Sequence, residues 1–452
     1  MTRLAVASLR ARTSAFAACF LAVFLGATVV GAFATLVDTA TGDVASADRT
    51  SLRLMGVVVG SWGLVIVLFS VASTMTVTVR QRSAELSLLR TIGATARQTR
   101  RMVVVEATSV AAVAALLAAV PATLVGSWVL HLLKDADMVA TGVQHRAGPV
   151  AIGVTGLAMT AVSAAAAMVA TRRASRQTVD VARVEATTGA SSVSRWRVAA
   201  GLLLLAAGLA YSTLTVTVMA HSADPFAPMS TAGPAGVCLA VGFAVLAPLL
   251  LRVATAACAP VLRLLGPAGE LAAQDLRARP QLLAGVLAPV IVFVGIGIGT
   301  TYLVAIEDAA TGGMTSRDGR EIQLLNNVVV GMISVFAAIM VVNTLAAAVS
   351  ARRRELGQLR LTGATPAQVR AVLVWEGVVV AATGIAVGSI ASLGTILPYS
   401  WVKLDRLLPD LGPAYAVLVA AAAVAVVLAS TVGATRRALR PAALEAVVTA
   451  AG

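Results

Sequence analysis

Apolar residues in this chain fall neither into a two-residue alternation nor into one-sided stripes, but into long and nearly unbroken runs. Ten runs have roughly the 20 residues that a helix needs to cross a bilayer core: 14–37, 54–78, 104–132, 149–171, 198–220, 233–256, 282–306, 327–350, 376–397 and 413–434. Polar and basic residues punctuate them. A helix that is apolar on every face must be surrounded by protein or by lipid. The runs are rich in Ala, Val, Leu and Gly, and the small members of that set suit close packing between membrane helices. The pattern predicts an all-α polytopic membrane protein with about ten transmembrane helices.

Composition agrees. Of the 452 residues, 58% are hydrophobic and 12% charged, against about 25% charged in a soluble domain. A net charge of +14 suggests nucleic acid until the charges are located. With the amino terminus placed inside, 27 of the 35 Lys and Arg residues and 9 of the 21 acids fall on the inner side. Every inner loop is basic and no outer loop is strongly so, which is the positive-inside asymmetry. The expectation is a multi-pass protein of the cell (inner, cytoplasmic) membrane, with both termini cytoplasmic and no nucleic-acid partner. Basic residues, an apolar run and Ala32-Phe33-Ala34 also fit a cleavable signal, and Phe16-Ala17-Ala18-Cys19 weakly fits a lipoprotein signal. The run is long enough to span, and it has a counterpart later in the chain, so a span is the better reading. Cys19, Cys238 and Cys258 lie in or beside apolar runs without CxxC spacing, and read as small buried hydrophobes. His131, His145 and His221 sit near or beyond outer span ends and read as interface residues, not ligands.

Two inner loops are copies at a constant offset. Glu85, Leu86, Leu89, Arg90, Gly93, Ala94, Thr95, Gln98, Arg100, Val104 and Glu106 reappear as Glu355, Leu356, Leu359, Arg360, Gly363, Ala364, Thr365, Gln368, Arg370, Val374 and Glu376. The likeness extends outward. Leu9-Arg10-Ala11-Arg12 matches Leu276-Arg277-Ala278-Arg279 before a span, and Ala170-Thr171-Arg172-Arg173-Ala174 matches Ala434-Thr435-Arg436-Arg437-Ala438 after one. The organisation expected is a four-span unit over 1–176, a cytoplasmic linker over 177–197, a two-span hairpin over 198–260 and a second four-span unit over 261–452.

Local chemistry predicts a helix–turn–helix in each loop. Gly93 and Gly363 stand where a helix ends on a residue of positive φ. Thr95 with Gln98, and Thr365 with Gln368, form a Thr-x-x-Gln capping box for the next helix, and Pro366 occupies the favoured first helical position. Two short charged helices should then project from the membrane at a fixed angle. Glu106 and Glu376 read either as helix-start carboxylates favoured by the dipole or as contacts that pull on the loop. The bland alternative is a solvated corner that merely turns the chain, and duplication of the turn chemistry argues for a paired partner surface instead.

The pattern Arg-x-x-Glu-Leu-x-x-Leu-Arg-x-x-Gly-Ala-Thr-x-x-Gln between spans, present twice, resembles the signature of the FtsX-like ABC transporter permease family. The ten-span plan is similar to the bacitracin- and lantibiotic-resistance type of permease. The resemblance implies that each loop (Glu85, Arg90, Gly93, Ala94, Thr95, Gln98 and Arg100; Glu355, Arg360, Gly363, Ala364, Thr365, Gln368 and Arg370) docks in one ABC ATP-binding subunit, two copies per chain. Members usually carry a large outer domain after the first span of a unit. Here the segments 38–53 and 307–326 are too short for one.

Neither Lys134 nor Lys403 follows a glycine, so no Gly-x-x-x-x-Gly-Lys phosphate loop exists. The expected protein is not an enzyme and binds no cofactor itself; ATP would belong to the partner subunit. No ionisable residue lies near the middle of a run, which disfavours an ion-coupled carrier. Two functions remain. One is ATP-driven export or membrane extraction of an amphipathic or lipid-like substrate such as an antimicrobial peptide or a lipid. The other is a mechanotransmission module that controls a cell-envelope enzyme or sensor kinase without transport.

Overall fold

The computed structural model describes residues 13–60, 88–89, 91–135, 139–176, 194–222, 227–311, 352–410 and 412–440, with isolated positions between 64 and 71 and between 327 and 349. Among these residues the chain is helical and has no strand. This follows from the solvent, because inside a bilayer every backbone donor needs a partner in its own segment. The helices are α1 (Thr13–Thr39), α2 (Ser46–Leu54), α3 (Ala96–Asp135), α4 (Pro149–Arg176), α5 (Arg195–Thr217), α6 (Ala227–Val245), α7 (Ala247–Leu264), α8 (Pro267–Ala278), α9 (Pro280–Thr311), α10 (Arg353–Leu361), α11 (Pro366–Leu404) and α12 (Ala414–Leu439). A π-helical turn, Met55–Val59, follows α2. Nine of the described helices are long and apolar enough to cross a membrane. Side chains such as Leu116, Val120 and Trp128 of α3, Leu157 of α4, Leu203 of α5 and Leu418 of α12 are largely exposed, an apolar surface suited to lipid.

The described segments meet the predicted runs with one correction. The run 233–256 is not a single rod but two helices, α6 and α7, separated by Leu246. Pro248 near the start of α7 has no N–H to continue the ladder, while Leu246 N still donates to Gly242 O at 3.2 Å and Leu250 N to Leu246 O at 3.1 Å. The helix is broken there without being unwound. Run 54–78 lies mostly outside the described residues, and run 327–350 about half outside them. A short helix, α8, precedes the span α9 and follows Gly266, whose φ is 81°.

The chain forms two compact units, one of residues 1–182 with 314–336, the other of 183–313 with 337–452. In the first, α3 packs on α1 and α4. The segment between α3 and α4 is tied to α1: Gly148 N donates to Asp38 Oδ2 at 2.5 Å, Arg146 N to Thr39 Oγ1 at 3.1 Å, and His145 Nε2 lies 3.1 Å from Thr35 Oγ1. In the second unit α9 and α11 form the central pair, and the α5–α6 hairpin packs against α11. Thr395 Oγ1 of α11 donates to Ala232 O of α6 at 2.9 Å, and Ser212 Oγ of α5 to Gly394 O at 2.8 Å. Cys19 is buried and the other two cysteines half-buried; all three are free thiols.

The α9–α11 crossing rests on glycine. A Cβ at Gly388 would stand 2.7 Å from Val294 Cβ and 3.0 Å from Gly295 N. Without a hydrophobic driving force in lipid, such close backbone approach supplies the dispersion that holds helices together. Gly388→Val should therefore lower stability by about 1–3 kcal/mol through overpacking, read as a fall in the midpoint of thermal unfolding in detergent. An unchanged midpoint would show that the crossing tolerates separation.

Candidate functional site

The duplicated loop is built twice with the same geometry. Gly93 and Gly363 both have φ 101°, open to glycine and strained for a residue with a Cβ. Ala94 N reaches back to Leu89 O at 2.9 Å, and Ala364 N to Leu359 O at 3.0 Å. This six-to-one bond closes a helix C-terminus in the Schellman manner. On the far side of the turn Thr95 N donates to Gln98 Oε1 at 2.8 Å and Gln98 N to Thr95 Oγ1 at 3.3 Å. Thr365 and Gln368 repeat both bonds at 2.8 and 3.3 Å. Each turn thus satisfies the orphan groups of two helix ends at once. Glu85 and Arg90 lie outside the described residues.

The second helix of each pair differs from expectation. It is not a short projecting helix, because α3 has 40 residues and α11 has 39, about 60 Å at 1.5 Å per residue against a core of about 30 Å. The turn sits at the end of a rod continuous with the span. Glu106 and Glu376 are accordingly not at helix starts. The helices begin at Ala96 and Pro366, and both carboxylates lie nearly three turns inside, beyond the reach of the terminal dipole. Glu106 is 0% exposed and Glu376 3%.

What holds Glu376 is Arg352, the residue just before α10. Its NH1 donates to Glu376 Oε1 and Oε2, each at 2.9 Å. Its NH2 donates to Asp275 Oδ2 of α8, and its Nε stands 3.7 Å from Glu355 Oε2. Glu355 in turn accepts from Arg279 NH2 at 2.5 Å. The Arg352 side chain is only 4% exposed. Burial would lower its pKa, but the Glu376 and Asp275 carboxylates outweigh that and hold it above the ordinary value. One guanidinium fork therefore fastens α8, α10 and α11. Beside it, Val349, Leu356, Val369, Leu373 and Ala438 form an apolar cluster with Leu359, Ala364, Ala434 and Leu439 around it. Arg360 NH1 donates to Leu439 O at 3.3 Å. The end of α12 is thus bound to the turn as well.

Of the remaining sequence candidates, Thr95, Gln98, Thr365, Gln368 and Arg370 are exposed, while Ala94, Ala364 and Arg100 are partly buried. Leu88 (66% exposed), Ile92 (74%) and Leu361 (55%) put apolar side chains into the open beside the turns. The sequence reading missed Arg352, Asp275 and Arg279. Arg352 was legible as the first residue of the repeated Arg-x-x-Glu; Asp275 was an acid in a basic loop without a repeat partner. At the other end of the unit it also missed Glu307, which is 1% exposed, accepts from Tyr399 Oη and pairs with Lys403 Nζ at 2.9 Å.

Removing one partner of a buried ion pair strands the other and typically costs about 3–5 kcal/mol, whereas removing both is near neutral. Arg352→Met should accordingly lower thermal stability sharply, and Arg352→Met with Glu376→Leu should recover part of the loss. A double variant no better than the single one would show that Asp275 and Glu355, not Glu376, dominate the cluster.

The FtsX-like permease C-terminal family model matches this sequence twice, over residues 57–179 and 327–442, together just over half of the chain. No curated protein matches it.

Proposed function

The chain belongs to the FtsX-like permease family, and on that premise we propose that it couples ATP hydrolysed by a separate subunit to export or membrane extraction of an amphipathic, lipid-like substrate. The family generally provides the non-catalytic membrane subunit that works with an ABC ATP-binding subunit. An antimicrobial peptide or a lipid is the substrate class proposed.

The observation that carries the reading is the pair of turns with matching hydrogen bonds, each capped on both sides and flanked by exposed apolar side chains. Two copies fit two ATP-binding subunits per chain. Each turn ends a rod that runs into the membrane, so a push on the turn is carried into a span. The described segments 40–45 and 405–410, outer in this orientation, are short, and Asp48 of α2 accepts from Ala140 N at 3.2 Å. Such a surface offers little for an outer enzyme to grip, which favours transport over mechanotransmission. The long exposed apolar faces favour entry of substrate from the bilayer.

Both termini and both turns are proposed to be cytoplasmic. In a background without the native cysteines, Ala45→Cys and Leu408→Cys should react with a membrane-impermeant thiol reagent in intact cells. Ala96→Cys and Ala367→Cys should not, and the opposite labelling pattern would invert the topology.

Coupling is tested at the turn glycines. Valine at φ 101° is strained by about 1–2 kcal/mol or more, a local cost that leaves membrane insertion intact. Purified alone, the wild-type chain should hydrolyse no ATP; with a Walker-motif partner it should co-purify and stimulate hydrolysis. Gly93→Val or Gly363→Val alone should weaken both effects, and the two together should abolish them at matched expression. Wild-type stimulation by the double variant would reduce the turns to topological corners.

A further inference from the structure

A cleft of about 210 Å³ opens in the second unit where the first turn of α11 meets the last turns of α12, lined by Pro366, Arg370, Thr435, Arg436, Leu439 and Arg440. We propose that this cleft binds the phosphate of an anionic phospholipid headgroup. Three of its six lining residues are arginines and none is a carboxylate. Guanidinium forks match phosphate oxygens in a bidentate way, and the positive end of the α11 dipole lies at Pro366. All three guanidinium-bearing residues are exposed, whereas Arg352, Arg279 and Arg360 nearby are engaged by carboxylates or a carbonyl.

Depth selects the lipid. The apolar run of α12 ends near residue 434, so Arg436 and Arg440 fall about 3–10 Å beyond it at 1.5 Å per residue, where headgroups lie. Long arginine side chains also reach back toward the interface. On the stretch of α12 next to the cleft, Ala425, Ala429 and Gly433 are exposed, so a lipid standing against that stretch brings its phosphate to the arginines. The same basic trio recurs in the first unit. Arg100, Arg172 and Arg176 hold the positions of Arg370, Arg436 and Arg440, and Thr171 that of Thr435. Because the α12 end is packed against the turn through Leu439 and Ala438, a bound headgroup would brace the turn against the inner leaflet. The assignment to the inner leaflet rests on the orientation proposed above. Inner-leaflet anionic lipids attract such basic clusters.

The test uses the full-length chain alone, purified in detergent and equilibrated with equal parts of phosphatidylglycerol and phosphatidylcholine. Lipid that stays bound is identified by native mass spectrometry. Wild type should retain phosphatidylglycerol in excess. Arg370→Gln, Arg436→Gln and Arg440→Gln together should lose part of that excess, and the further changes Arg100→Gln, Arg172→Gln and Arg176→Gln should remove the rest. A charge-matched control with Arg195→Gln, Arg263→Gln and Arg277→Gln should keep it. The proposal is overturned by no preference in wild type, or by an equal loss in the control. Displacement of the retained lipid by inorganic phosphate would assign the cleft to a soluble anion instead. Lipid retention that survives the triple change while ATPase co-purification is lost would make it a protein-docking surface. Retention is read without any partner, so it stands or falls separately from coupling, and leaflet assignment is read by the cysteine labelling.

Discussion

A guanidinium that is almost completely removed from water must be surrounded by carboxylates, and that requirement organises the basic end of the second unit. Arg352 meets it by drawing Glu376, Asp275 and Glu355 from three helices to one point. Desolvating several charges together is costly, and the return comes from NH1 and NH2, both bonded to carboxylates, while Nε stays 3.7 Å from Glu355 without a hydrogen bond. The apolar cluster of Leu356, Val369, Leu373 and Ala438 excludes water from one side of the turn and so supplies the setting in which the ion pair is strong. Charge and packing specify the same arrangement: α10 folded back on α11, with the end of α12 held against both.

The two copies of the turn show which features the geometry needs. Glycine at φ 101°, the six-to-one bond and the Thr–Gln capping box are common to both. The residue at the first helical position is not: Ala96 in one, Pro366 in the other. Nor is the exposed apolar side chain, which is Ile92 in one and Leu361 in the other. Backbone closure is therefore common to both repeats, while part of the exposed surface beside it differs.

Much of this was legible in the sequence because its determinants are local. Span length, the turn glycines and the capping residues act within a few positions of one another, so a window of ten or twenty residues contains the whole cause. The break at Leu246 was also local, yet Pro248 so near a run's end looked like ordinary punctuation. The continuity of α3 and α11 was missed because charged residues such as Arg97, Arg100 and Arg101 read as the end of a span, although they are good helix formers outside lipid. The Arg352 cluster joins positions nearly eighty residues apart, Asp275 and Arg352. No window contains that cause, and only the repeated Arg-x-x-Glu hinted at it.

The length of α11 has a mechanical meaning. A stiff 39-residue helix gripped near its middle by α9 at Gly388 is a beam on a fulcrum, with arms of roughly 30 Å. A tilt of about 10° moves each tip by about 5 Å, in opposite senses, on those arm lengths. One tip carries the Gly363 turn; the other carries Tyr399 and Lys403, clasped to Glu307 of α9. Work done on the tip at the Gly363 turn would thus arrive at the other as strain on a single buried carboxylate, transmitted past Pro398, the proline inside this helix.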